Sequence, residues 1–266
     1  MTRGRSASRS GAAAAEAGCC PNLSGGRIYL SFGERLKFFL TTSGLVEPAP
    51  WVATDPNANI LYDWTEFARV GSRIFINTTT VDMFSVPLTV RVTEVNGTTR
   101  TEGINNSRAA VVTGLTNLGS DWSRLFQTRA DGTLLRVLAP THGIANGTFS
   151  STYLDAYIAA AWTYYQTRTL TIDTAWGPFT GTVAGTNMTF SNTTGGVVGT
   201  IPRPTTRDVF GCEGAIQPAG QPDQPGILAF GARVCADVSP RHPVDQRARH
   251  VRQAADLRPG PVLPAA

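Results

Sequence analysis

Lysine is nearly absent from this chain: Lys37 stands alone against 22 arginines, and there are only three histidines. Charged residues of all kinds make up 16%, well under the roughly 25% of an average soluble domain. The formal charge of +4 does not restore an anion-binding surface, because it resides at the ends. Residues 1–21 carry +2, the last 29 carry +3, and the body between them is left at −1. A basic groove that tracks nucleic-acid phosphates is therefore not expected. No run reaches the 18 apolar residues of a membrane-spanning helix, so no membrane partner is expected. The opening stretch has only a short Ala-rich run interrupted by Glu16, and no export signal is legible in it. The last 29 residues, rich in Arg, Pro, His and Ala, lack any apolar period and read as a disordered tail.

Several chemistries are missing as well. There is no phosphate loop ending in Lys-Ser/Thr, no His-Glu-x-x-His and no Gly-x-Ser-x-Gly. His242 and His250 lie in the tail, which leaves His142, expected in a loop without an evident partner. A histidine-dependent nucleophilic hydrolase is not expected on that count. Cysteine is sparse too. Cys19 and Cys20 are vicinal, where a disulfide is strained, and no role is expected for them. Cys212 and Cys235 enclose 22 residues of Gly- and Pro-rich chain. A disulfide there would contribute about 3 kcal/mol and imply an oxidising compartment, with two unrelated buried thiols as the alternative.

What is abundant is threonine, 34 residues, with 27 glycines and 17 prolines. That mixture predicts a strand-rich chain with many turns, and the body carries it out. Strands are expected at 26–32, 36–40, 60–68, 73–79 and 81–92, with the Pro-rich stretch 46–56 as a long connection. A mixed segment comes next. A helix is expected over 106–118, capped at Asn106, then a short turn over 121–126 and a strand over 133–139. A long helix is expected over 151–167, with Leu154, Ile158, Ala161, Trp162 and Tyr165 on one apolar stripe that should pack on a sheet. Strands return from 170 to 200. The expected fold is mainly β with an α/β part. Its divisions are an end at 1–22, a β-barrel domain from 23–92 and 170–237, a mixed domain at 93–169 and a tail at 238–266.

Carboxylates are the chemistry that remains. Alternation in Asp-Trp-Thr-Glu-Phe at 63–67 puts Glu66 on the face of Trp64 and turns Asp63 away, so an acid shares its surface with an aromatic plane of the kind sugars stack on. Asp82 comes 16 residues later, in another expected strand. Acids are depleted in strands, and two on neighbouring strands suggest a cleft, although on spacing alone the plainer reading of each is a solvated strand residue or a turn cap.

These residues resemble a known family. Gly-Gly-Arg-Ile-Tyr-Leu-Ser-Phe-Gly at 25–33, Pro-Ala-Pro-Trp at 48–51, Asp-Trp-Thr-Glu-Phe at 63–67 and Val-Asp-Met-Phe at 81–84 are similar to the laminaripentaose-producing β-1,3-glucanases of glycoside hydrolase family 64. So are Thr-Arg-Ala-Asp-Gly-Thr at 128–133, Leu-Arg-Val-Leu-Ala-Pro at 135–140, Ser-Thr-Tyr-Leu-Asp at 151–155, and Cys212 with Cys235. The resemblance implies a thaumatin-like β-barrel or sandwich beside a mixed domain, with an open groove for β-1,3-glucan between them. It implies inverting, endo-acting hydrolysis into short laminari-oligosaccharides, without cofactor or metal, with Glu66 as general acid and Asp82 as general base. Trp64 and Phe67 are the apolar neighbours expected to favour a protonated Glu66. Trp51, Trp64, Phe75, Thr78, Thr79, Tyr153 and Asp155 are the expected substrate contacts; Trp51 is equally readable as a loop anchor and Asp155 as a helix-dipole partner. Ala68, Val70 and Phe75 stand where relatives tend to have Thr, Asn and Trp. The family carries further strands ahead of this segment, so an incomplete barrel with an open edge at 26–32 is expected. An extracellular monomer with a Cys212–Cys235 disulfide completes the expectation. A glucan-binding module that does not cut, or an inactive truncated relative, is the alternative.

Overall fold

The computed structural model describes residues 22–216 except 79, 175 and 176. The chain begins with β1 (Leu23–Phe32), a hairpin of β2 (Phe39–Thr41) and β3 (Gly44–Val46), then β4 (Leu61–Val70) and β5 (Arg73–Asn77). β6 (Met83–Phe84) precedes a second hairpin, β7 (Thr89–Thr93) and β8 (Thr99–Gly103). The middle holds α1 (Arg108–Thr116), α2 (Ser120–Ser123), β9 (Phe126–Thr128), β10 (Leu134–Leu138) and α3 (Pro140–Ala145). α4 (Asp155–Gln166), β11 (Leu170–Thr174), β12 (Gly177–Ala184), β13 (Asn187–Ser191), β14 (Val197–Pro202) and α5 (Thr206–Gly211) complete it.

The mainly β architecture with helices in the middle agrees with the expectation, and the local departures have local causes. The strand expected over 81–92 is cut after Phe84, where the amides of Ser85 and Val86 turn to the Asp63 carboxylate and Pro87 has no N–H to offer. The strand expected over 36–40 slides to β2 and folds back through Gly44, whose φ of 126° is a glycine conformation. α1 is capped by Ser107, not Asn106: the hydroxyl of Ser107 accepts from the amide of Ala110. α4 starts at Asp155 because the Leu154 amide donates to the Thr206 hydroxyl instead of continuing a helix towards residue 151.

Two cores result. Ile158 and Trp162 of α4 pack on Ile172, Phe179, Val183, Met188, Phe190 and Ile201 of the antiparallel meander β11-β12-β13-β14, with Leu154 and Tyr165 at the margin. The predicted stripe thus meets a sheet. The second core gathers Tyr62 and Trp64 from β4, Met83, Leu125, Val137, Leu138 and Phe149, flanked by Tyr29, Trp51, Trp122 and Phe210. Among the described residues β1 is an edge of the ladder β1-β4-β5, and its Ile28, Leu30 and Phe32 remain exposed.

Candidate active site

β4 is buried on both faces from Tyr62 to Thr65, and it organises the site from both. On one face antiparallel pairing sets Trp64 against Tyr29 and Glu66 against Arg27, and β5 adds Asn77 opposite Glu66 and Phe75 opposite Ala68. Cross-strand partners share a face, so Arg27, Glu66, Asn77 and Phe75 form one surface. Phe67 points the other way, over Gly26, where any Cβ would run into its ring. The expected apolar surroundings of Glu66 are therefore corrected. Its cross-strand neighbour is a guanidinium: Arg27 Nε and Nη2 lie 3.0 and 2.9 Å from Glu66 Oε1, and Nη1 reaches Glu47 Oε2 at 2.9 Å. The same guanidinium sits 5.3 Å from the centre of the Trp64 ring, which is 7% exposed. Trp64 is a core residue under a cation, whereas Phe75, 51% exposed, is the open aromatic plane on the Glu66 face.

The opposite face of β4 anchors the chain beyond β5. The Asp63 carboxylate, 3% exposed, accepts from the amides of Trp64 at 2.9 Å, Ser85 at 2.8 Å and Val86 at 3.1 Å. Burial pushes its pKa up against those three donors and the charge of Arg136. Arg108 at the start of α1 donates to the carbonyls of Ser85, Leu134 and Leu135. Ser85 is held by its amide and by its carbonyl. Met83 and Phe84 then pair with Leu138 and Val137, and the ladder runs one step further, the Ala139 amide donating to the Asp82 carbonyl at 2.8 Å. Asp82 thus stands at the mouth of a different sheet from Glu66, not on a neighbouring strand of the same one. A four-residue link, 78–81, joins Asn77, the partner of Glu66, to Asp82.

His142 reaches Asp82 from α3. Pro140 opens that helix at its first position, and Gly143 lets it close on Leu125 and Phe149, since a Cβ there would collide with both side chains. The imidazole Nε2 lies 2.9 Å from Asp82 Oδ1, and its ring stacks on Trp51 with centroids 4.1 Å apart and planes 12° apart. The expectation of a loop histidine without a partner is overturned. The one signal for it was the strand-Ala-Pro-Thr-His order, in which proline after a strand marks a helix start. Nothing local in the sequence signalled Arg27 or Glu47, because their roles depend on register across 39 and 20 residues.

The remaining candidates are spread around this centre. Trp51 has one ring face covered by His142. Thr78, the first residue of the link, is half-buried, and Thr79 lies outside the described residues. Tyr153 is 40% exposed at the edge of a cluster with Trp122, Phe149 and Phe210, its hydroxyl accepting from Trp122 Nε1 at 3.0 Å. Asp155 Oδ1 accepts from the Thr206 hydroxyl at 3.1 Å and ties α4 to α5. Cys212 ends α5 with a left-handed φ of 50°, and Cys235 lies outside the described residues. Among the described residues no three His, Cys, Asp or Glu side chains gather as a metal set, and no helix is long and apolar enough to cross a membrane.

Comparison with known proteins points the same way. A family model described as β-1,3-glucanase, Glyco_hydro_64, matches residues 10–250. Two curated relatives named glucan endo-1,3-beta-glucosidase, from Arthrobacter sp. (strain YCWD3) and Cellulosimicrobium cellulans, are 36% and 35% identical over 204 residues. Each match covers 74% of this chain and 37% of the relative, so the chain spans well under half of the curated relatives it matches. A solved laminaripentaose-producing β-1,3-glucanase in complex with laminaritetraose is 37% identical with a TM-score of 0.71, covering 80% of this chain and 59% of that one. A β-1,3-glucanase domain from Clostridium beijerinckii is 28% identical with a TM-score of 0.66, covering 79% and 56%.

Proposed function

The chain belongs to the Glyco_hydro_64 family of β-1,3-glucanases, and from that premise we propose that it hydrolyses β-1,3-glucan in endo fashion, inverting the anomeric carbon. Glu66 is the general acid and Asp82 the general base. The observation that carries the reading is the pair of solvent-reaching carboxylates, 38% and 26% exposed, each held by one oxygen, Glu66 opposite Asn77 on β4 and Asp82 three residues ahead of the Ser85 that Asp63 and Arg108 fix. Arg27 engages Glu66 Oε1 and His142 engages Asp82 Oδ1. Among the described residues, Oε2 and Oδ2 make no hydrogen bond and are left for chemistry.

The step balances with water alone. Glu66 Oε2 gives its proton to the glycosidic oxygen as the bond from the anomeric carbon to that oxygen breaks. A water attacks the carbon from the opposite side and loses a proton to Asp82 Oδ2. The new reducing end emerges in the α configuration, and solvent returns a proton to Glu66 and removes one from Asp82. Inversion needs room for that water, with carboxyls about 6.5–9.5 Å apart. Phe75 offers a stacking plane beside Glu66, and Trp51, Thr78, Thr79, Tyr153 and Asp155 complete the proposed contacts. We further assign a thaumatin-like barrel, an extracellular monomer and a Cys212–Cys235 disulfide. Peptide mapping after alkylation without reductant should find these two cysteines joined and unmodified, and two alkylated thiols at these positions would remove the bond.

Purified chain incubated with linear β-1,3-glucan should release short oligosaccharides that are α at their new reducing ends by early-time NMR. Glu66→Gln and Asp82→Asn should each lower kcat by about a thousandfold. A glucan-binding module is the rival, and the double hold of Arg27 on the proposed acid is what favours it. Binding without release of oligosaccharide would establish the rival instead.

A further inference from the structure

The Asp82 carboxylate could have been left to solvent; instead an imidazole with no other hydrogen bond among the described residues is brought to it. We propose that His142 is a positioning residue for this hydrolysis, holding Asp82 Oδ1 so that Oδ2 faces the attacking water. The inference rests on Asp82 being the base.

Three features support it. An ionised carboxylate only accepts, so Nε2 is the donor of this contact. Both side chains remain solvent-reaching, 19% and 26% exposed, and a pair so placed adds little to folding. Yet the machinery that fixes it is extensive. The imidazole is clamped flat on Trp51, and α3 is seated through Gly143. The backbones of the two partners meet through Ala139, whose amide donates to the Asp82 carbonyl and whose carbonyl accepts from the His142 amide at 3.0 Å. Strand end, helix start and stacked ring all converge on one N–H···O contact. Such rigidity has value where a reacting oxygen must be placed, since small misplacements of a reacting group cost orders of magnitude in rate.

The test is steady-state hydrolysis of linear β-1,3-glucan by the full chain carrying His142→Phe, His142→Gln or Asp82→Asn, with melting temperatures alongside. Phe keeps the stack on Trp51 and removes the donor; Gln restores a donor nitrogen of similar reach. Expected are a kcat about 10- to 100-fold lower for His142→Phe with KM within about twofold, and recovery to within about threefold of wild type for His142→Gln. Should His142→Phe fail to fold, His142→Asn, whose amide is too short to reach Oδ1, takes its place against His142→Gln. A wild-type kcat in the donor-less variant, while Asp82→Asn is inactive, would overturn the positioning role and leave the base standing. Equal losses in the Phe and Gln variants, tracking a fall in melting temperature, would reduce His142 to a packing residue. An active Asp82→Asn, or a chain that binds glucan and cuts none, would overturn base and positioner together.

Discussion

Strands β12 to β14 bury and expose their residues in turn, Phe179, Gly181 and Val183 inward with Pro178, Thr180 and Thr182 outward, and each pairs with the strand next to it in sequence. β4 does neither. It is buried on both faces, and its polar partners are distant: Arg27 is 39 residues from Glu66, Ser85 is 22 from Asp63, and Arg136 reaches Ile60, just ahead of the strand, across 76. The meander is held by apolar burial between near neighbours. The ladder around β4 is held by buried polar groups that reach across the chain; the proposed acid belongs to it, and the proposed base stands on the β6 sheet, beside the segment that Asp63 of β4 holds. Polar groups of this kind are costly when unmatched and directional when matched, which is what a site requiring fixed oxygens needs.

The sharpest way to break that contrast is Arg136, fully buried beneath Tyr62. Its guanidinium donates to the carbonyls of Ala58 and Ile60 and to Gln127 Oε1. Burial lowers its pKa, yet as an arginine it stays charged. Arg136→Met fills most of the volume and strands those acceptors, with an expected loss of about 3–5 kcal/mol in denaturant unfolding. A loss under about 1 kcal/mol would show that the ladder is held by packing, as the meander is.

Asp63→Asn should cost somewhat less, about 1–3 kcal/mol, because one amide nitrogen must face an N–H donor. Its pH dependence carries a sign. The folded pKa of Asp63 is raised above the unfolded value of about 3.9, so the folded state holds the proton more tightly. The contribution is full below about pH 3.9 and is lost as pH rises through the folded pKa. The stability gap between wild type and Asp63→Asn should therefore be widest in acid and narrow towards neutrality. A gap that widens with pH would mean that the three amides outweigh burial.

This contrast also explains what could be read from the chain beforehand. Ile158 and Trp162 announced α4 and its sheet, because helical period and packing partner lie within about 50 residues of one another. Glu66 and Asp82 were found by carboxylates in strand-like surroundings and by likeness to a family. Their holders were not, since Arg27 becomes a partner of Glu66 only through the β1-β4 register and His142 reaches Asp82 only once α3 has docked. Phe67 was misplaced for a simpler reason: in a strand it cannot share a face with its neighbour Glu66, whatever its chemistry.

The smallest effect belongs to the meander. Ile201 of β14 is fully buried against the α4 layer and pairs with Met188. Ile201→Val removes one methyl, which costs about 0.5–1.5 kcal/mol by lost burial and residual cavity. Nothing polar depends on that methyl, and no described hydrogen bond runs from β14 to Asp82, Glu66 or their holders. The expected outcome is a lower unfolding midpoint with kcat on linear β-1,3-glucan unchanged within about 1.5-fold. A kcat that fell with stability would mean that the meander's packing sets the geometry of the carboxylates as well, and that the two cores act as one.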